Sequence, residues 1–136
     1  MPLHHFLAEQ GYKKPEVGLA FVRGGKKLAH AFAEIADTSE LRRVGLSKRA
    51  SLPADRAMFF DKAGTFWMKD VNFPLDIVFV DKRGKILEKY GMVVDKTGST
   101  LYAPTKKADH AIELPFGFID KYGIKEGDKA IPFSVD

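Results

Sequence analysis

Hydrophobic residues occur in short blocks separated by Gly, Pro, Asp and Ser, the pattern of strands joined by tight turns. The strongest block, Pro74–Asp81, lies in the stretch Phe66–Leu87, which also holds the single tryptophan, Trp67. On a strand, Leu75, Ile77 and Phe79 point one way and Asp76, Val78 and Val80 the other. Both faces are then apolar, and the strand is expected at the centre of a sheet. Asp76 is the exception, a carboxylate heading an apolar face, and its burial demands a partner. Asp81–Gly84 closes a turn into a second strand that runs on through Glu88–Val94.

Upstream, Lys27–Ala36 alternates, with Leu28, His30 and Phe32 set against Ala29, Ala31, Ala33 and Ile35. Asp37-Thr38-Ser39 then offers a helix cap. Asp37 and Glu40 have capping-box spacing, and Leu41, Val44 and Leu46 give a short apolar face, so a helix is predicted over Ser39–Leu46. Downstream, Ala57–Phe60 reads as a short strand, Leu101–Pro104 as an edge piece, Ala108–Leu114 as a strand and Asp128–Phe133 as a closing strand. Between the last two, Phe116–Tyr122 reads as a helical turn stopped by Gly123. Residues 1–26, interrupted by Gly11, Pro15, Gly18 and Gly24-Gly25 around the run Leu19–Val22, are expected to form a loosely attached arm or one short strand. Residues 27–136 then make the single globular domain. The predicted fold is α+β, mostly β: a small, partly closed β-barrel with one or two short helices. The order short helix, Gly-Ile, Gly-Asp, apolar strand is that of small double-psi barrels.

Composition narrows the chemistry. A chain of 136 residues can bury a core without disulfides or a structural metal, and the absence of cysteine excludes thiol catalysis and thiolate-bound zinc. The first residues have neither a basic n-region nor an apolar h-region, and no long apolar run follows, so a soluble, cytoplasmic protein without membrane contact is expected. The net charge of +4 is spread over doublets, Lys13-Lys14, Lys26-Lys27, Arg42-Arg43 and Lys106-Lys107, which read as solvated surface rather than a nucleic-acid footprint. His4-His5 lacks carboxylate neighbours and His30 sits in an apolar pattern, so no metal is expected. No cofactor is expected either, since no phosphate loop or dinucleotide fingerprint is present.

Polar residues set inside apolar blocks are the candidates for function: Arg49, Lys69, Asp76 and Glu113. On an extended Phe66–Lys69, Trp67 and Lys69 share a face opposite Phe66 and Met68, which puts an indole beside an ammonium. Such a surface suits a polar, ring-bearing ligand such as a carbohydrate, and a binding module using Trp67, Lys69 and Arg49 is the leading expectation. One alternative is an enzyme acting on a glycan or peptide-like substrate, with Asp76 and Glu113 as acid and base and Lys69 or Arg49 setting their ionisation. Another is a protein–protein interaction domain using the same surface. Both carboxylates also have a structural reading, as partners of backbone N–H groups or of Arg49 and Lys69.

Four blocks resemble the family known as domain of unknown function 192: Gly45-Leu46 with Arg49 and Ser51-Leu52-Pro53, then Met58; Phe66-Trp67-Met68-Lys69 with Pro74-Leu75-Asp76-Ile77; Glu113-Leu114-Pro115 with Gly117; and Gly123-Ile124 with Gly127-Asp128. The resemblance runs from about Thr38 to Phe133 and implies a compact, strand-dominated domain; the family has no agreed activity to pass on. Three departures stand out: Val44 replaces the family's usual arginine, Asp70 its usual asparagine, and the secretion signal common in relatives is absent.

Overall fold

The computed structural model describes residues 13–135. They form strands β1 (Val17–Arg23), β2 (Lys26–Ala36), β3 (Arg56–Phe60), β4 (Leu75–Val80), β5 (Ile86–Met92), β6 (His110–Pro115) and β7 (Lys129–Phe133), with helix α1 (Ser39–Val44) between β2 and β3 and helix α2 (Phe118–Tyr122) between β6 and β7. All seven strands belong to one sheet in the order β5-β4-β6-β3-β2-β1-β7. Every neighbouring pair is antiparallel except β2 and β3, whose parallel pairing requires the crossover that α1 provides. Among the described residues the fold is therefore mostly β with two short helices.

The sheet is open, but its edges meet at one end. Ile86 N–H donates to the Asp128 carbonyl and Gly127 N–H to the Ile86 carbonyl, each at 2.8 Å, and Lys85 and Lys129 form a single bridge. The β4–β5 turn is part of this lacing. At Gly84 the backbone has φ 83°, and a Cβ there would lie 2.2 Å from the Ala130 carbonyl oxygen, so only glycine fits.

β4 is buried throughout, as its two apolar faces predict. Leu75, Ile77 and Phe79 pack with Met58, Phe60 and Met68, while Val78 and Val80 pack with Leu19, Phe21, Ile112 and Leu114. The second face is closed by Phe118 and Ile119 of α2.

Of the two expectations for the N-terminal segment, a loose arm or one short strand, residues 17–23 take the second, and the strand is firmly held: β1 is hydrogen-bonded to β2 on one side and β7 on the other, and Leu19 and Phe21 are buried in the core. The expectations for residues 1–12 lie outside the described residues. The cap of α1 is Thr38 rather than Asp37, with Thr38 Oγ1 accepting from Leu41 N–H at 3.1 Å, and Glu40 pairs with Arg43 instead of completing a capping box. Gly45 ends that helix at φ 49°, ψ −129°, so α1 is two residues shorter than predicted. In α2, Gly123 takes the left-handed C-cap position that the sequence assigns to it.

Candidate functional site

A cavity of about 320 Å³ opens between the end of α1 and the segment 62–71, on the Ile77 face of the sheet. Its walls are stitched together by backbone hydrogen bonds. Lys48 N–H donates to the Asp70 carbonyl at 2.7 Å, and both residues are left-handed, at φ 62° and φ 61°. Asx residues tolerate that conformation best after glycine, which explains why asparagine or aspartate suits position 70. Asn72 Nδ2 adds a 2.8 Å bond to the Arg49 carbonyl.

Trp67 stands on the rim, half exposed at 50%. Although 66–69 is not a regular strand, the expected alternation holds: Met68 is fully buried and Phe66 packs in the core, while Trp67 and Lys69 face outward. Lys69 Nζ lies 5.4 Å from the indole centroid, a cation–π contact. Behind the ring, Gly98 approaches so closely that a Cβ would come within 2.9 Å of the indole. The neighbouring segment is fixed by Tyr102, whose backbone pairs with Phe66, and by Glu88, which accepts from the N–H groups of Thr105 and Lys106 and from the hydroxyls of Tyr90 and Thr105. Burial pulls the Glu88 carboxyl upward, but these donors outweigh it and hold its pKa at about 2.

Glu113 of β6 lines the same cavity. It is 5% exposed, yet no hydrogen bond or ion pair reaches its carboxyl among the described residues. Its strand neighbours are Met58 on β3 and Ile77 on β4, both apolar. Burial alone pushes its pKa up to about 8, so at neutral pH it is mostly the protonated acid and can both donate and accept. Four cations also line the cavity: Arg42, Arg43, Lys62 and Lys69. Arg42 is paired with Asp61 at 2.6 Å and Arg43 with Glu40 at 2.8 Å, whereas Lys62 and Lys69 have no acidic partner among the described residues. Sequence reasoning missed Arg42, Arg43 and Lys62, because a basic doublet in the last turn of a short helix and a lysine in a turn look like ordinary solvated surface.

Asp76 and Arg49 are elsewhere. Asp76 pairs in register with Leu114, one position from Glu113, so the two carboxyl groups emerge on opposite faces of the sheet. The acid–base pair is not assembled. Instead Asp76 caps α2, whose own N-cap residue, Gly117, has no side chain to offer: Asp76 Oδ2 accepts from Ile119 N–H at 2.9 Å. Burial raises the Asp76 pKa, opposed by the N–H groups of Ile119 and Gly117. Asp76→Ala is expected to cost about 1–2 kcal/mol in urea unfolding, with Asp76→Asn milder because its amide oxygen still accepts. An alanine variant as stable as the wild type would contradict the capping role. Arg49 donates through Nη1 and Nη2 to the two oxygens of Glu34 at 2.6 and 2.9 Å, outside the cavity lining.

The described residues contain no group of three or more His, Asp or Glu able to hold a metal ion, and no helix long and apolar enough to cross a membrane.

The class defined by this geometry is a small, mostly-β domain with an uncommitted buried acid beneath a cationic, aromatic-edged cavity. The chain belongs to the family of domain of unknown function 192, described as "Uncharacterized ACR", whose profile matches residues 20–131. No curated protein matches it. Among solved structures it is similar to a protein of Sinorhizobium meliloti named as a candidate transcription regulator, with 21% identity, a TM-score of 0.79, and 89% of this chain and 98% of that one covered. It is also similar to a protein of unknown function from Novosphingobium aromaticivorans, with 24% identity, a TM-score of 0.74, and coverage of 85% and 84%. At these identities the likeness concerns the fold.

Proposed function

We propose that this protein is a binding module for a small polar ligand, and that the ligand occupies the cavity between α1 and the Trp67 segment. The observation that carries the reading is Glu113, a largely buried carboxyl with no partner among the described residues that opens onto a cavity already holding Trp67 and Lys69. A carboxyl held largely out of water without a cation beside it costs stability, and such groups persist where a function uses them. The half-exposed indole offers an apolar platform, and the cations around it supply charge and hydrogen-bond donors, an arrangement that suits a ring-bearing compound such as a carbohydrate. The bridge between Lys85 and Lys129 supports the accompanying fold reading, a partly closed barrel.

Because Trp67 is the only tryptophan, its emission reports on the cavity rim directly. Titration with a panel of sugars, carboxylic acids and phosphates is expected to shift that emission and to protect it from acrylamide quenching for at least one member. If none perturbs the emission or the amide resonances of residues 42–47 and 62–71, the proposal fails. An interaction-domain reading draws on one observation, the exposure of Val93, Val94 and Leu101 on either side of the turn that backs Trp67.

A further inference from the structure

We infer that the ligand is an acidic sugar, a uronate, whose carboxylate meets the Glu113 carboxyl in the cavity while the cations of the lining offset its charge. This deepens the binding proposal and rests on it. Three observations lead to it. First, Glu113 lines the cavity, is largely buried and has no hydrogen-bond or ion-pair partner among the described residues, so its carboxyl is free to be a ligand contact. Second, the lining contains four basic side chains, and Glu113 is its single acid. Of the four, Lys62 and Lys69 lack an acidic partner among the described residues, so the site has an excess of positive charge. Third, the rim residue is a half-exposed indole, which favours a ligand with a flat apolar C–H face over a compact inorganic anion.

The groups facing Glu113 set the sign of the pH effect. β3 and β4 present Met58 and Ile77, which do not titrate. α1 presents Arg42 and Arg43 with their partners Asp61 and Glu40, and the segment 62–71 presents Lys62 and Lys69. Beyond Met58 on β2 lies the closed pair Glu34–Arg49. Burial puts the Glu113 pKa at about 8, so Glu113 changes charge between mildly acidic and mildly basic pH. As an acid it donates a charge-assisted hydrogen bond to a ligand carboxylate; once ionised it repels the same group. A neutral sugar hydroxyl would accept from the acid or donate to the carboxylate, so a ligand lacking a carboxylate would not lose affinity in this way.

The test uses D-glucuronate and D-glucose, titrated against Trp67 emission with the full chain. Glucuronate is ionised throughout the range, and its affinity is expected to fall about tenfold from pH 6 to pH 9, with glucose bound at least about tenfold more weakly at pH 6. In Glu113→Gln, which retains an N–H donor and cannot ionise, the dependence of glucuronate affinity on pH is expected to vanish, whatever the affinity itself becomes. Equal affinity for the two sugars, a flat wild-type profile, or a profile unchanged by E113Q overturns the inference. If glucuronate fails while another compound in the panel shifts Trp67 emission, the acidic-sugar class is wrong and the binding site stands; if nothing does, both fall.

Discussion

Glu113→Gln is expected to stabilise the folded protein by about 3 kcal/mol at neutral pH and to remove most of the pH dependence of stability above about pH 5. The Glu113 pKa is about 8 in the fold against an ordinary 4.5, and burial is the cause. The folded state therefore holds this proton more tightly than the unfolded chain. The advantage is complete below 4.5, declines by about 1.4 kcal/mol per pH unit above it, and is lost once the pH passes 8. Glutamine resembles the protonated acid in shape and cannot ionise, so the variant should sit on a plateau. Other shifted acids do not blur the comparison. Asp81, Glu88, Asp95 and Asp128 are all lowered, so their contributions are already complete above the ordinary carboxylate range. Asp76 is raised by burial and adds a slope of the same sign, but it is common to both proteins. Urea unfolding at about pH 5, 7 and 8.5 measures the difference. A wild-type curve that is level or rising between pH 5 and 8 would refute the account. A substitution that stabilises the fold while altering ligand recognition is also the signature of a residue kept for function.

Much of this site was legible wherever strict alternation governs. The two faces of β4 followed from Leu75–Val80, and Trp67 and Lys69 were placed outward against Phe66 and Met68 even though that segment pairs only through Phe66. That Asp76 needs a partner could be read from its apolar neighbours; that the partner is the backbone of Ile119 could not, because the two meet only when α2 folds across β4. β1 was obscured by glycines that read as breakers. Gly18 is in fact a packing position: the Phe133 ring of β7 lies over it, 2.2 Å from where a Cβ would be. The cations around the cavity were illegible for a different reason. Arg42, Arg43 and Lys62 are charged residues in polar surroundings, and only the approach of α1 to the 62–71 segment gives them a shared cavity.

Arg49→Met is expected to destabilise the protein by about 3–5 kcal/mol, because it strands a buried carboxylate. The Arg49 and Glu34 side chains are only 9% and 5% exposed, and the guanidinium meets both carboxylate oxygens, the geometry in which arginine is strongest. The double variant Glu34→Leu, Arg49→Met removes both charges and is expected to recover most of the loss, since well-packed apolar residues often match a buried ion pair. A single variant costing less than about 1 kcal/mol, or a double variant no better than the single, would show that the pair is not what holds this face. The same double variant separates structure from binding. Arg49, first expected as a ligand contact, does not line the cavity, so ligand-induced changes in Trp67 emission should survive its replacement. Glu34, Met58 and Glu113 lie in one cross-strand row, so two glutamates are buried on the same face with a single methionine between them. One has a guanidinium fitted to it and the other has no partner among the described residues. If burial of an acid here served only the fold, both would be expected to have acquired a partner; the one left open is the one that faces the cavity.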